Sequence, residues 1–92
     1  MLKYHNYDRE IAKFIQKRPY LFWFIKEPEQ LSQEAVVEAV LNLGSWLDVQ
    51  ELFELFGIQQ TAEIFRRKSR EKRNNYRPEI KNYFEHYFNK YA

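Results

Sequence analysis

No cysteine occurs among the 92 residues, which excludes disulfides and thiolate metal sites and is compatible with a reducing compartment. Glycine is limited to Gly44 and Gly57, each placed to stop a helix, so there is no Gly-rich loop to cradle a phosphate. The two histidines, His5 and His86, stand near opposite ends of the chain and form no ligand spacing; they read as exposed residues. No run approaches the ~18 apolar residues of a membrane span. The opening Met1-Leu-Lys-Tyr-His-Asn-Tyr-Asp8 lacks the apolar core of a signal peptide. These absences leave no nucleophile with its base, no metal cluster and no cofactor cradle. The expectation is a cytoplasmic, non-enzymatic chain that uses no cofactor.

What is present is uneven. From Glu27 through Phe65 there is no Lys or Arg, yet the span carries Glu27, Glu29, Glu34, Glu38, Asp48, Glu51, Glu54 and Glu63. Between Arg66 and Arg77 seven of twelve residues are basic and only Glu71 is acidic, so a formal net charge of +2 conceals an acidic body and a basic segment. Segregated charge bears on association more than on fold. Aromatics are the second excess: eight Phe, seven Tyr and two Trp. Each ring buries roughly 150–250 Å² when enclosed, more than so small an interior can absorb for all of them, so some rings should reach the surface and can anchor a partner.

The patterns are helical throughout, which predicts one all-α domain over residues 1–92 with about five helices. A first helix starts at Asn6 or Asp8 as cap and runs to about Lys17, with Tyr7, Ile11, Phe14 and Ile15 on one face; Pro19 ends it. Tyr20-Leu-Phe-Trp-Phe-Ile25 is apolar without relief, a run that periodicity alone cannot divide between a buried strand and a buried helical turn. Lacking a second strand to pair with, it reads as a short irregular or helical plug. Lys26 to Leu31 is a loop. Ser32 caps a helix over Gln33–Leu43, with Val36, Val37, Val40, Leu41 and Leu43 inward and Glu34, Glu38 and Asn42 outward; Gly44 follows as a left-handed stop.

A third helix begins at Asp48, with Glu51 completing a capping-box-like pair, buries Val49, Leu52, Phe53 and Phe56, and stops at Gly57. The fourth, about Gln59 to Lys72, turns Ile58, Ala62, Phe65 and Ser69 inward and sets Arg66, Arg70 and Arg73 along one side; Asn74-Asn75 break it. Pro78 opens the last helix, whose Ile80, Tyr83, Phe84, Tyr87, Phe88 and Tyr91 form an amphipathic stripe buried against its own domain or another chain.

Gly44-Ser45 resembles the start of a nucleotidyltransferase site, but the two aspartates that must follow roughly ten residues later to hold Mg²⁺ are missing. The helices around Gly44 have a helix-turn-helix outline, yet the outward Asp48, Glu51 and Glu54 of the second would face phosphates. A nucleic-acid surface would instead use Arg66, Lys68, Arg70, Lys72, Arg73 and Arg77 on phosphates, with Tyr76 stacking on a base.

The order Leu21-Phe-Trp23, Ala39-Val-Leu-Asn-Leu-Gly44, Leu52-Phe-Glu-Leu-Phe-Gly57, Ile64, Ser69-Arg70 and Tyr83-Phe-Glu-His-Tyr-Phe88 resembles a family of small bacterial proteins. Its members are often encoded beside nucleotidyltransferase-like toxins of the abortive-infection (AbiEii) type and are taken to be their antitoxins. The likeness spans roughly residues 19 to 88 and rests on packing and turn signatures. It departs at Phe24, where the family tends to Asp, and at Lys72, where it tends to an apolar residue. The resemblance implies a protein that binds and neutralises a cognate nucleotidyltransferase-type toxin. On that reading Glu34, Glu38, Glu51 and Glu54 oppose a basic surface, and Trp23, Trp46 and Tyr87 are apolar anchors. The alternatives are a small helical RNA- or operator-DNA-binding module using residues 66–77, and a homo-oligomer formed through the last helix.

Overall fold

The computed structural model describes residues 2–23, 32–72 and 74–92, with side chains from Arg9 onward. Among them the chain is all-α, without a strand: α1 Leu2–Gln16, α2 Pro19–Phe22, α3 Gln33–Leu43, α4 Trp46–Phe56, α5 Ile58–Ser69 and α6 Pro78–Tyr91. No helix among the described residues is long and apolar enough to cross a membrane. Contacts divide the chain into two compact units, Met1–Leu31 and Ser32–Ala92.

In the first unit, α1 begins upstream of the expected Asn6 or Asp8 cap, since neither Gly nor Pro stands before Pro19 to interrupt it. Ile11, Phe14 and Ile15 are buried as the spacing predicts; the Tyr7 side chain lies outside the described residues. Pro19 is the first residue of α2, where a missing N–H costs nothing. The aromatic plug is thus one helical turn with two sides: Leu21 and Phe22 are buried, while Tyr20 and Trp23 are exposed. Phe24, Ile25 and the loop after them lie outside the described residues. Arg18, buried before the turn, donates from Nη1 to the Phe14 carbonyl at 3.2 Å and lays its guanidinium 3.9 Å over the Phe14 ring.

In the second unit, α5 packs against α3, α4 and α6. Its Ala62 and Phe65 are wholly buried, as are Val36, Val37 and Val40 of α3, Leu52 of α4 and Phe88 of α6. Ser32 caps α3 as expected, accepting from the Ala35 N–H at 3.2 Å. Leu43, expected inside, is exposed, because it sits at the end of α3 beyond the Val37–Val40–Leu41 face.

Gly44 is not left-handed as expected but extended, at φ −78° and ψ 161°. Space, not dihedral freedom, requires glycine there: a Cβ would lie 2.7 Å from the Val40 carbonyl oxygen and 3.0 Å from Asp48 Cβ. Those contacts arise because α4 starts three residues earlier than its Asp48–Glu51 pattern suggested. Ser45 is the cap, accepting from Asp48 N–H at 3.2 Å, and the Asp48 carboxylate accepts from Ser45 N–H at 2.9 Å. Asp48 is accordingly buried, not outward. Gly57 joins α4 to α5 at φ +83°, a conformation that L side chains rarely adopt.

The connection to α6 is built from side-chain amides. α5 stops at Ser69, short of the expected Lys72, and Asn74 accounts for the free end: its Nδ2 donates to the Glu71 carbonyl at 2.9 Å and the Ser69 carbonyl at 3.3 Å, and its Oδ1 accepts from Tyr76 N–H. Two α3 side chains one turn apart then grip the next three residues. Glu38 accepts from the Asn75 backbone N–H and Nδ2, at 3.2 and 3.1 Å. Asn42 donates to the Asn75 carbonyl at 2.9 Å and accepts from Arg77 N–H at 3.1 Å. Arg77 is extended, as a residue before proline should be, and α6 starts at Pro78.

Removing both Asn42 bonds should be felt across α6. Asn42→Ala is expected to lower unfolding stability by about 1–2 kcal/mol, at about 1 kcal/mol for each net hydrogen bond. Asn82→Ala, on the exposed side of α6, should change it by less than about 0.5 kcal/mol; urea unfolding followed by circular dichroism distinguishes the two.

Candidate partner-binding face

Phe65 is the ring from which the aromatic cluster of the second unit is built. It meets Tyr76 edge-on at 5.0 Å between centroids, Phe88 at 5.4 Å and Phe84 at 6.3 Å. Phe88 leads outward to Phe53 of α4 at 5.9 Å, and Phe53 stacks on Tyr87 at 5.9 Å. Tyr87 touches Trp46 at 5.5 Å, Tyr91 at 4.7 Å and Tyr83 at 6.1 Å. The series is continuous from a fully buried ring to exposed ones: Trp46 is 45%, Tyr83 52% and Tyr91 55% exposed.

Helix geometry explains why the stripe of α6 spills over. Phe84 and Phe88 point at α5, whereas Tyr83, Tyr87 and Tyr91 follow one another at i, i+4, i+8 along the edge of that stripe. Only Tyr87 is covered in part, by α4. Its hydroxyl pKa is raised, chiefly by withdrawal from water and then by the neighbouring Tyr83 and Tyr91. Leu43 at the end of α3 and Leu47, next to Trp46 in α4, are both exposed on either side of the α3–α4 corner and add apolar surface. Along α4 the same outward side carries Gln50, Glu51 and Glu54: Trp46, Gln50 and Glu54 stand at i, i+4, i+8, and Leu47, Glu51 and Glu54 at i, i+4, i+7.

Four of the seven residues expected at a partner surface thus belong to one face: Trp46 and Tyr87, in ring contact, with Glu51 and Glu54 on the outward side of α4. Glu38 does not join them, because both of its carboxylate oxygens hold Asn75. Glu34 faces Arg67 of α5 at 3.9 Å, a long and exposed pair. Trp23, 77% exposed, stands in the first unit. Leu43 and Leu47 were not anticipated as a surface, whereas Tyr83 and Tyr91 belong to the α6 stripe expected to be buried against its own domain or another chain, and both are exposed. The available signal was the length of the α6 stripe, six large residues on one helix, wider than a single neighbour can cover.

The alternative nucleic-acid set is dispersed by the fold. Tyr76 is buried against Phe65 and cannot stack on a base. Arg66, half-buried, donates from Nη2 to the Phe88 carbonyl at 3.2 Å in the last turn of α6, so it serves a helix end. Lys68 pairs with Glu71 at 3.4 Å. The row Arg66, Arg70, Arg73 does not persist as a helical face: Arg70 is the C-cap of α5, and Arg73 lies outside the described residues. Arg70, Lys72 and Arg77 are exposed.

Among the described residues no group of three His, Cys, Asp or Glu could hold a metal. No protein-family model, curated protein or solved structure matches this chain.

Tyr76 supplies the test that its ring is core. Its hydroxyl is buried and has no hydrogen-bond partner among the described residues, and burial, with the nearby Glu38 carboxylate, drives its pKa far above the ordinary value. Tyr76→Phe should therefore raise stability by about 1 kcal/mol at neutral pH. The sign with pH follows from linkage. A phenol held neutral in the folded state stabilises fully below the unfolded value of about 10, and this contribution is lost as pH rises toward the folded value. The stability advantage of Tyr76→Phe should widen between about pH 9 and pH 11, measured by urea unfolding at each pH.

Proposed function

We propose that this chain is an antitoxin-like, non-enzymatic cytoplasmic protein that docks on a nucleotidyltransferase-type toxin and blocks it, using the face formed by α4 and α6. The observation that carries the docking role is the ring series ending in Trp46, Tyr83 and Tyr91, three large exposed side chains joined through Tyr87, with the exposed Leu47 next to Trp46 in sequence. Contiguous exposed apolar surface of this kind marks interaction sites, and Trp and Tyr are the side chains most used as interface anchors. The identity of the partner rests on the family resemblance in the sequence. A blocking protein needs surface rather than catalytic groups, which fits a chain whose unusual residues are aromatics.

A neighbouring reading frame with Gly-Ser followed by an Asp-x-Asp pair would be the cognate toxin. Co-expression with this chain should restore growth. Trp46→Ala should abolish the rescue while preserving the helical spectrum, and the double variant Glu51→Lys, Glu54→Lys should weaken it. Growth that is not restored, or a neighbour without those motifs, removes the toxin reading.

The second reading, nucleic-acid binding, retains the exposed Arg70, Lys72 and Arg77 at the end of α5 and the start of α6. It requires complexes with RNA or DNA that weaken steeply with salt. A gel shift with a short duplex at low salt should show none; a retarded, salt-sensitive band abolished by Arg70→Ala with Arg77→Ala would establish it.

A further inference from the structure

The two halves of the outward side of α4 differ in chemistry. Its first turn presents Trp46 and Leu47, and the next turns present Gln50, Glu51 and Glu54. The whole span from Glu27 to Phe65 contains no Lys or Arg. Glu54 is exposed, and no ion pair to it is seen among the described residues. The rings beside these carboxylates are also electron-rich surfaces: in this same molecule Lys90 Nζ lies 5.5 Å over the Tyr91 ring and the Arg18 guanidinium 3.9 Å over Phe14. An exposed indole followed one to two turns later by carboxylates is a surface for a cation carried beside an apolar group.

We infer that the α4–α6 face takes a basic protein segment, one that sets an apolar side chain on Trp46 and Leu47 and arginine or lysine side chains over the Trp46 ring face and against Glu54. Phosphate-bearing partners are disfavoured on the α4 side of this face, because the exposed Glu54 would oppose them across an apolar surface. A second copy of this chain is a poorer occupant: its own outward α4 would bring Glu51 and Glu54 against like charges in a symmetric pairing. This inference rests on the docking role proposed above and adds the chemistry of the docked segment.

The test titrates the full-length protein, uniformly labelled with nitrogen-15, with three blocked peptides of the same apolar spacing. One carries arginine at its polar positions, one glutamine and one glutamate. The arginine peptide should shift the Trp46 indole signal and the amides of Leu47 to Glu54. It should bind at least about threefold more tightly than the glutamine peptide, the difference that one or two exposed ion pairs supply. The glutamate peptide should not bind, and Glu54→Gln should erase the arginine preference. Equal shifts from all three, or none from the arginine peptide at millimolar concentration, overturn the inference. So does a concentration-dependent dimer by sedimentation that Trp46→Ala dissolves, since the face is then occupied by a second copy. The outcomes separate the two claims. Failure of the arginine peptide while Trp46→Ala still abolishes toxin neutralisation removes the basic chemistry and leaves the docking role. Peptide binding without neutralisation removes the toxin and leaves the face.

Discussion

Glu38 and Asn42, one turn apart on α3, hold the short extended stretch that carries the chain into α6, and the placement of the aromatic face depends on that hold. Extended backbone outside a sheet has no ladder to satisfy it, so its N–H and C=O groups must find side chains or water. Here Glu38 and Asn42 take the Asn75 and Arg77 N–H groups and the Asn75 carbonyl. The grip comes from both ends of the sequence gap, since Asn74 closes α5 just before it and Pro78 opens α6 just after. With the entry to α6 fixed, Phe84 and Phe88 settle on Phe65, and Tyr87 is carried to the edge of α4 beside Trp46.

The aromatic face is a consequence of surplus. A small unit with α5 at its centre has one interior, and Phe65, Phe84, Phe88 and Tyr76 fill it. The rings left over lie along the same helix stripe and cannot turn away without breaking the contacts of their neighbours. They therefore emerge as a graded series, buried at Phe88, half-covered at Phe53 and Tyr87, exposed at Tyr83 and Tyr91. That gradation gives a partner an anchored surface, since each exposed ring is braced by one behind it and loses little freedom on contact.

The charge segregation has two different physical uses. The basic run sits where α5 ends, so Arg66, Arg67 and Lys68 face the negative end of the helix dipole and Arg66 reaches a terminal carbonyl of α6. The acidic residues divide: Asp48 and Glu38 are consumed by backbone N–H groups, Glu34 stands near Arg67, and Glu54 stays exposed on the outward side of α4. A run of one sign in sequence therefore does not become a surface of one sign.

By itself the sequence determined the all-α class, the limits of α3, the start of α6, and the inward placing of Ile11, Phe14 and Ile15 in α1, of Val36, Val37, Val40 and Leu41 in α3 and of Phe84 and Phe88 in α6, because apolar spacing, Ser32 and Pro78 are local signals whose effect needs no distant partner. The start of α4 was also written locally, but two overlapping capping patterns competed, and Ser45 with Asp48 prevailed over Asp48 with Glu51 because the former satisfies two backbone N–H groups reciprocally. What only the tertiary structure decided is the fate of side chains that look alike in sequence. Glu38 and Glu54 are both helical carboxylates in a cation-free span, and Tyr76 and Tyr83 are both tyrosines that directly follow an asparagine. One of each pair is turned inward to a backbone or a ring more than ten residues away, and the other is left at the surface. That distinction depends on which helix comes to lie opposite, and spacing along a single helix carries no record of it.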